Sequence, residues 1–410
     1  MECELIVIGD ELLRGSVIDT NSAFIARRLA ELGIGIKRVV RVGDDEKDIQ
    51  LALAESLTRV RLIIITGGLG PTDDDRTLMA VCGLINRPLR MDSALRKRIQ
   101  LIFEKRKVKM PKLAEKQAYV PQGVTVFPNP IGMVPGMAIE HQGSIIILLP
   151  GVPQEVEALF NDGIVDYLKN KIVNRERIYT ALVRTFGLIE SQLAPKLEKN
   201  LKKFFRVQIG YYPSVSGLDL VFSGPDEFSV KNCASFAAKL LGDNVYALSD
   251  KSLVQIVGEL LRKNRLTVAT AESCTGGLVG DLITSVPGSS DYFRGGIIAY
   301  ANDIKVNLLG VSKLTLERYG AVSQETVNEM LKGVIRITGA DCAVAVSGIA
   351  GPGGGTKSKP VGWVYIGVLA GKKKRVLRCI FSGTRSLIKQ RAAWTAIDQL
   401  RRILNISRCG

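Results

Sequence analysis

A chain of 410 residues with 46% hydrophobic content exceeds what one ordinary core holds, so two or three domains are expected. Seven scattered cysteines with no Cys-x-x-Cys pair, and a single histidine, His141, argue against a disulfide framework, a His-based zinc cluster and a histidine general base elsewhere in the chain. The formal charge of +16 would suit a nucleic-acid binder, but the basic residues are spread along predicted helices at 96–98, 105–109 and 199–203 and a turn at 372–375, with no reading helix to organise them. They read as solvated faces with a general affinity for anions. The amino terminus has no basic segment leading into an apolar run and a cleavage site, and the apolar runs at 145–149 and 343–346 are strand-length, which predicts a cytoplasmic chain without a membrane span.

Residues 5–8 form a short apolar strand, 21–32 a helix before Gly33, 39–42 the next strand, 48–57 a second amphipathic helix, and 62–65 a strand apolar on both faces. This is a βαβαβ pattern, and such units take ligands at the carboxyl ends of their strands. Gly9-Asp10-Glu11 and Thr66-Gly67-Gly68-Leu69-Gly70-Pro71-Thr72 fall there. The second loop precedes Asp73-Asp74-Asp75 and a predicted helix over 76–83. Its glycines let backbone amides approach an anion and the helix start adds partial positive charge, so a phosphate cradle is expected, although the loop is neither a Walker A loop nor a dinucleotide fingerprint. The three carboxylates either cap the helix or hold a divalent cation beside a phosphate; a cap alone needs only one.

From 172 to 250 the texture changes, with short strands at 178–184, 207–211 and 218–222 interleaved with two helices, which predicts a small α+β unit. A turn-rich step at 249–252 then leads to a helix over 253–262 and an apolar strand over 266–269. Ala271-Glu272-Ser273-Cys274-Thr275-Gly276-Gly277 lies between that strand and the next helix. Ser273 is there either as a helix cap or as a nucleophile whose developing oxyanion the helix amino terminus and exposed amides stabilise. Tyr300 follows the strand-like Gly295-Gly296-Ile297-Ile298-Ala299, Lys305 sits on the following turn, and Ser347 to Thr356 supplies a second glycine-rich anion loop. With no histidine at hand, Lys305, its pKa lowered by burial or neighbouring cations, is the expected activator of Ser273, and Tyr300 would relay a proton or position the substrate. Cys274 is the internal rival, because a thiolate beside a helix start is the stronger nucleophile.

Taken in order, Gly9-Asp10-Glu11-Leu12-Leu13-x-Gly15, Asp19-Thr20-Asn21, Gly67-Gly68-Leu69-Gly70-Pro71-Thr72-x-Asp74-Asp75, Pro150-Gly151-Val152-Pro153-x-Glu155 and Phe186-Gly187-x-x-Glu190-Ser191 resemble the amino-terminal domain of the CinA (competence/damage-inducible) family, with Asp10 where threonine is more usual. The segments 272–277, 300–305 and 347–356, with Lys359-Pro360-Val361-Gly362 and Phe381-x-Gly383-x-Arg385 through Arg391, resemble the PncC-type nicotinamide-nucleotide amidase domain that ends such chains.

The resemblance implies an α/β fold class: an N-terminal molybdopterin-binding-like three-layer α/β domain (1–171), a small α+β connecting domain (172–250) and a C-terminal α/β amidase domain (251–410). For the first domain it implies metal-dependent hydrolysis of ADP-ribose at its pyrophosphate, with Asn21, Gly67, Gly68, Gly70 and Thr72 at the substrate. Asp10, Asp74, Asp75 and Glu155 would stand at a divalent ion (Mg²⁺, Mn²⁺ or Co²⁺), with K⁺ as a further cation. For the last domain it implies hydrolysis of the carboxamide of nicotinamide mononucleotide to nicotinate mononucleotide and ammonia, through an acyl-enzyme on Ser273 assisted by Lys305 and Tyr300, without a cofactor. Thr275, Gly276, Gly277, Ser347, Gly348, Gly355, Thr356, Arg385 and Arg391 would line the substrate, and the two arginines read equally as exposed cations of the last helix. The expected partners are these small nucleotides and a second copy of the chain as a homodimer, not nucleic acid or membrane. The alternative is a nucleotide- or cofactor-binding regulatory protein linked to DNA uptake or recombination, without amidase turnover.

Overall fold

The computed structural model describes residues 2–171 and 178–406. The chain divides into two compact units, Met1–Ile178 and Tyr179–Gly410. Among the described residues no helix is long and apolar enough to cross a membrane.

The first unit runs β1 (Glu2–Ile8), α1 (Asp10–Leu13), α2 (Asn21–Glu31), β2 (Gly35–Val42), α3 (Glu46–Arg59), β3 (Leu62–Thr66), α4 (Thr77–Leu84), β4 (Leu89–Met91), α5 (Ser93–Lys105), β5 (Tyr119–Pro121), β6 (Thr125–Phe127), β7 (Gly136–His141), β8 (Ser144–Leu149), α6 (Pro153–Leu159) and α7 (Val165–Lys171). Its main sheet has the order β2-β1-β3-β8-β7-β6, parallel from β2 to β8 and antiparallel beyond. Strand side chains alternate between faces, and both faces here are apolar. Ile6, Ile8, Ile63, Ile65, Ile146 and Leu148 pack under α3, α4 and α5 through Leu53, Val81 and Ile99. Leu5, Leu62, Ile64, Ile147 and Leu149 pack on the other side against Ile25 and Leu29 of α2 and Val156 and Leu159 of α6. The continuous apolar run at 62–65 is what a strand covered on both faces requires, and the result is the three-layer α/β architecture of molybdopterin-binding proteins.

The second unit holds two sheets. It runs β9 (Tyr179–Thr185), α8 (Glu190–Leu201), β10 (Gln208–Ser214), β11 (Gly217–Gly224), α9 (Glu227–Leu241), β12 (Val245–Ala247), α10 (Leu253–Asn264), β13 (Val268–Glu272), α11 (Leu278–Thr284), β14 (Phe293–Ile298), α12 (Asn302–Asn307), α13 (Lys313–Tyr319), α14 (Gln324–Thr338), β15 (Cys342–Gly348), β16 (Trp363–Ala370), β17 (Lys373–Ile380) and α15 (Arg385–Ile406). The smaller sheet, β10-β11-β9-β12, is antiparallel and buries Val183, Leu220 and Phe222 against Leu197 of α8 and Val230 of α9. The larger sheet has the order β14-β13-β15-β16-β17, with β13, β14 and β15 parallel. Its valine-rich face packs on α10, α11 and α15. Its other face is paved with Ala269, Ala271, Ala343 and Ala345, small enough to bring Val327 and Leu331 of α14 close; a Cβ on Gly367 would stand 2.6 Å from Val327.

The segments 178–250 and 251–406, each with its own sheet, fall within one of the two compact units. The physical reason is a buried network: Asp398 of α15, 1% exposed, accepts from Arg401 and Arg402, and these donate onward to the Asp243 carbonyl at 2.6 Å and to Asn244 at 3.0 Å, just before β12. Residues 172–177 of the expected connecting domain, and 407–410, lie outside the described residues.

Candidate functional site

In the larger sheet of the second unit, the chain leaves β13 through α11 to β14 on one side, then crosses back through α14 to β15 on the other. The carboxyl end of β13 is thus the point where the winding reverses, the place where open α/β sheets take ligands. Ser273 is the first residue beyond it. Its amide donates to Val346 at the end of β15 (2.9 Å), and the Ala299 amide at the end of β14 donates to Glu272 (2.8 Å), so the three strand ends are tied side by side. Gly276 and Gly277, at φ 62° and 96°, allow the reversal into α11.

The start of α11, expected either to be capped or to help hold an oxyanion together with exposed amides, is bound from within. The carboxylate of Glu272, 1% exposed, accepts from the amides of Gly277 (3.0 Å), Val279 (3.1 Å) and Gly280 (2.8 Å), so the helix start is already occupied. The Gly277 amide is therefore engaged within the turn. The amides of Cys274 and Thr275 meet no acceptor among the described residues, and neither does the fully buried Thr275 hydroxyl. These are the donors left for a developing negative charge beside Ser273.

Lys305 is 1% exposed, and its ammonium donates to the carbonyls of Ala299 (2.8 Å) and Tyr300 (3.0 Å). No carboxylate pairs with it among the described residues' ion pairs, and burial pulls its pKa below the usual lysine range against weaker opposing effects of Cys274 and Asp303. Burial pushes the Cys274 thiol up to about 12, although Lys305 and Arg385 both stand within electrostatic reach of it. A thiol so raised is protonated near neutrality, which removes the rival nucleophile's advantage. The ring of Tyr300 is exposed, and its hydroxyl accepts from Arg385 (2.7 Å), whose second terminal nitrogen reaches the Gly351 carbonyl (2.6 Å). Arg385 thus ties Tyr300 to Gly351, and Lys305 and Arg385 both act on Cys274, the neighbour of Ser273.

Ser347 follows Val346, the acceptor of the Ser273 amide, and the remaining expected ligand residues make the following contacts. The Ser347 hydroxyl is buried and donates to Ala321 (2.7 Å), and Gly348 packs on Val364 because a side chain there would meet it at 2.6 Å. Thr356, next to Gly355, closes its own turn: its amide donates to the Lys359 carbonyl (2.9 Å) and its hydroxyl accepts from the Lys359 amide (3.0 Å). Arg391 donates to the Ser382 carbonyl (2.7 Å) and lines a separate cleft of about 790 Å³ with Phe186, Pro213 and Phe381; no contact among the described residues joins it to Ser273, Tyr300 or Lys305. Lys389 was missed. It stands one helical turn beyond Arg385, on the same face of α15, with its ammonium 3.6 Å from where a Cβ on Gly276 would be. The spacing of Arg385 and Lys389 was the signal that could have found it.

At the carboxyl edge of the first unit's sheet, the 66–72 loop is shaped by its own side chains. Asp75 accepts from the amides of Gly70 (2.7 Å) and Thr72 (2.9 Å) and from the Thr72 hydroxyl (2.5 Å), while the Thr77 hydroxyl donates to Gly67 (2.8 Å). Asn21 donates to Gly151 (2.8 Å) and Thr66 (3.3 Å), stapling strand ends together. The amides of Gly68 and Leu69 alone in this loop's glycine stretch meet no acceptor among the described residues. Of the expected metal set, Asp10 and Asp74 both stand within electrostatic reach of Asp44, while Asp75 and Glu155 are engaged elsewhere. Asp75 is occupied in the loop, Glu155 accepts from Asn129 (2.8 Å), and Asp10 pairs with Arg14 (2.7 Å), while Asp74 is exposed. Among the described residues no group of three or more His, Cys, Asp or Glu side chains is placed to hold a metal ion, so these residues as arranged do not fit one. A carboxylate not anticipated, Asp44 after β2, accepts from the Asp10 amide (3.0 Å); burial first, then the charges of Asp10, Glu11 and Asp74, raise its pKa.

Each of the two units carries loops at the carboxyl ends of parallel strands, the edge at which open α/β sheets take ligands. Residues 4–170 match the family profile described as probable molybdopterin binding domain, and residues 250–404 match the CinA C-terminal domain. The chain is 38% identical over 410 residues to a putative competence-damage inducible protein of Caldicellulosiruptor saccharolyticus, covering 98% of this chain and 99% of the relative. It is 37% identical over 407 residues to a CinA-like protein of Thermotoga maritima, covering 98% and 97%. Among solved structures, the competence/damage inducible protein CihA of Agrobacterium tumefaciens is 38% identical and spans 37% of this chain and 93% of its own, with a TM-score of 0.37. The chain belongs to the CinA family.

Proposed function

We propose that the second unit hydrolyses the carboxamide of nicotinamide mononucleotide to nicotinate mononucleotide and ammonia, with Ser273 as nucleophile. The observation that carries the reading is Lys305, a buried amine with no carboxylate partner among the described residues, held by two carbonyls beside the Ser273 turn. Neutral Lys305 takes the proton of the Ser273 hydroxyl as its oxygen attacks the amide carbon. The oxyanion of the tetrahedral intermediate is held by the amides of Cys274 and Thr275. Collapse breaks the carbon–nitrogen bond, and the Lys305 ammonium returns its proton to the leaving ammonia. Water, deprotonated by the same amine, then cleaves the acyl-serine and releases the carboxylate. Arg385 and Lys389 hold the 5′-phosphate, and Arg385 keeps Tyr300 against it. Incubation with nicotinamide mononucleotide, following ammonia and nicotinate mononucleotide, tests the reading, with Ser273→Ala as control.

For the first unit we infer a nucleoside diphosphate ligand of the ADP-ribose type, received by the amides of Gly68 and Leu69 with Arg76 nearby. No metal-dependent step is derived there, because among the described residues no group of three or more His, Cys, Asp or Glu side chains is placed to hold a metal ion. A regulatory protein that binds DNA without amide turnover is the outcome that a negative amidase assay would favour.

A further inference from the structure

Phe186-Gly187-x-x-Glu190-Ser191, Phe381 and Arg391 take no part in the amidase reading, yet they line one cleft of about 790 Å³ within the second unit. That volume is in the range of small-molecule pockets, about 300–1,000 Å³. Its apolar lining comes from Phe186 and Leu188 after β9, Pro213 of β10, Ile380 at the end of β17 and Phe381 beyond it. Two ionised side chains, Arg391 and Glu190, stand among them, with the hydroxyls of Ser191, Ser214 and Thr395, and neither charge makes an ion pair among the described residues. Arg391 is half-buried and tethered through one nitrogen: its Nη1 donates to the Ser382 carbonyl (2.7 Å) and hydroxyl (3.3 Å). Its Nε and Nη2 meet no acceptor among the described residues. These two N–H groups form the side-on edge of a guanidinium, spaced to take both oxygens of one carboxylate. The tether at Nη1 limits the freedom this side chain has to lose when an anion arrives. Glu190 narrows the choice of anion. It is exposed in the first turn of α8, where its charge suits the helix start, and it puts a negative charge on the same cleft. Repulsion from it penalises a dianion such as a phosphate ester more than a carboxylate of single charge.

We propose that this cleft binds a small carboxylate borne on an aromatic ring, with Arg391 gripping the carboxylate side-on and the apolar lining taking the ring. The site is separate from the Ser273 turn, and the proposal does not depend on the amidase reading. Nicotinate is a suitable probe, because nicotinamide has the same ring and shape without the charge, and phenyl phosphate carries a dianion on a similar ring. Titration of the full chain with each of the three, followed by ligand-observed NMR, tests the proposal. Nicotinate should bind about tenfold or more tighter than the other two. Arg391→Gln should weaken nicotinate to the level of nicotinamide, and Ala194→Trp, which fills the cleft from α8, should abolish nicotinate binding. The same exchange at the other arginine, Arg385→Gln, should leave the affinity for nicotinate within about twofold, with thermal unfolding confirming that all three variants fold. A preference for nicotinate that survives Arg391→Gln or Ala194→Trp in folded protein, or that is lost in Arg385→Gln instead, would overturn the assignment to this cleft. Phenyl phosphate binding as tightly as nicotinate, or nicotinate binding no better than nicotinamide or not at all, would overturn the carboxylate as its ligand.

Discussion

Arg385, the first residue of the last helix, donates to the Tyr300 hydroxyl at 2.7 Å and to the Gly351 carbonyl at 2.6 Å, so one side chain fastens the segments after β14 and β15 at the mouth of the Ser273 turn. A planar guanidinium makes two such bonds from fixed directions, and an ammonium does not reproduce them. Arg385→Lys should raise KM for nicotinamide mononucleotide about tenfold or more with kcat changed less. Arg391→Lys, away from this turn, should leave both within about twofold. Steady-state kinetics decide; equal effects at both positions would count against Arg385 as a substrate contact.

Cys274, with its thiol pushed up to about 12 by burial, is buried next to Ser273, the nucleophile proposed above. Cys274→Ala should keep amidase activity within about threefold while lowering stability by about 1 kcal/mol through the small cavity left behind. Loss of turnover in this variant, with turnover retained in Ser273→Ala, would exchange the two roles.

The pH dependence follows from Lys305. Its folded-state pKa is lowered by burial, so the neutral, proton-accepting form gains population as pH rises through a value below the usual lysine range of about 10.5. The rate should climb with pH along a limb set by that value. The same shift acts on stability: between the folded and unfolded pKa values the unfolded chain binds more protons, so this residue destabilises the fold below its folded pKa and less so as pH rises. Lys305→Met should abolish the limb and the turnover while raising thermal stability. A limb that persists in Lys305→Met would place the base elsewhere.

Much of this architecture is legible in the residues. The run at 62–65 is apolar at every position, which only a strand covered on both sides tolerates, and β3 is such a strand. That Ser273 and Tyr300 lie at neighbouring strand ends is legible because β13 and β14, which they follow, pair in parallel. The occupied amides were not. Asp75 read as a metal ligand because an acidic run after a glycine loop looks the same whether its carboxylate turns outward or back onto Gly70 and Thr72. Glu272 went unassigned for the same reason: side-chain to backbone bonds leave no periodic trace. Lys389 is signalled by its spacing from Arg385, but only packing brings that face of α15 to the Gly276 turn.

Glu272 carries a prediction of its own. Its carboxylate accepts three amides at the start of α11, and charge-assisted bonds of this kind are worth more than neutral ones. Glu272→Gln keeps the shape but turns one acceptor into a donor facing those amides. It should cost about 2 kcal/mol of stability and lower kcat more than tenfold with KM less affected, because the turn that aims Ser273 loosens. Unchanged kcat in a destabilised variant would make Glu272 a purely structural residue.

The central claim is that Ser273 attacks the carboxamide of nicotinamide mononucleotide with Lys305 as its base, and trapping the acyl-enzyme tests it most directly. Rapid acid quenching of the full chain with nicotinamide mononucleotide, followed by intact-mass and peptide analysis, should find a nicotinoyl mononucleotide ester on the peptide bearing Ser273, with ammonia released. Neither should form in Ser273→Ala. Ammonia release by Ser273→Ala, or no turnover by the unaltered chain, would contradict the account.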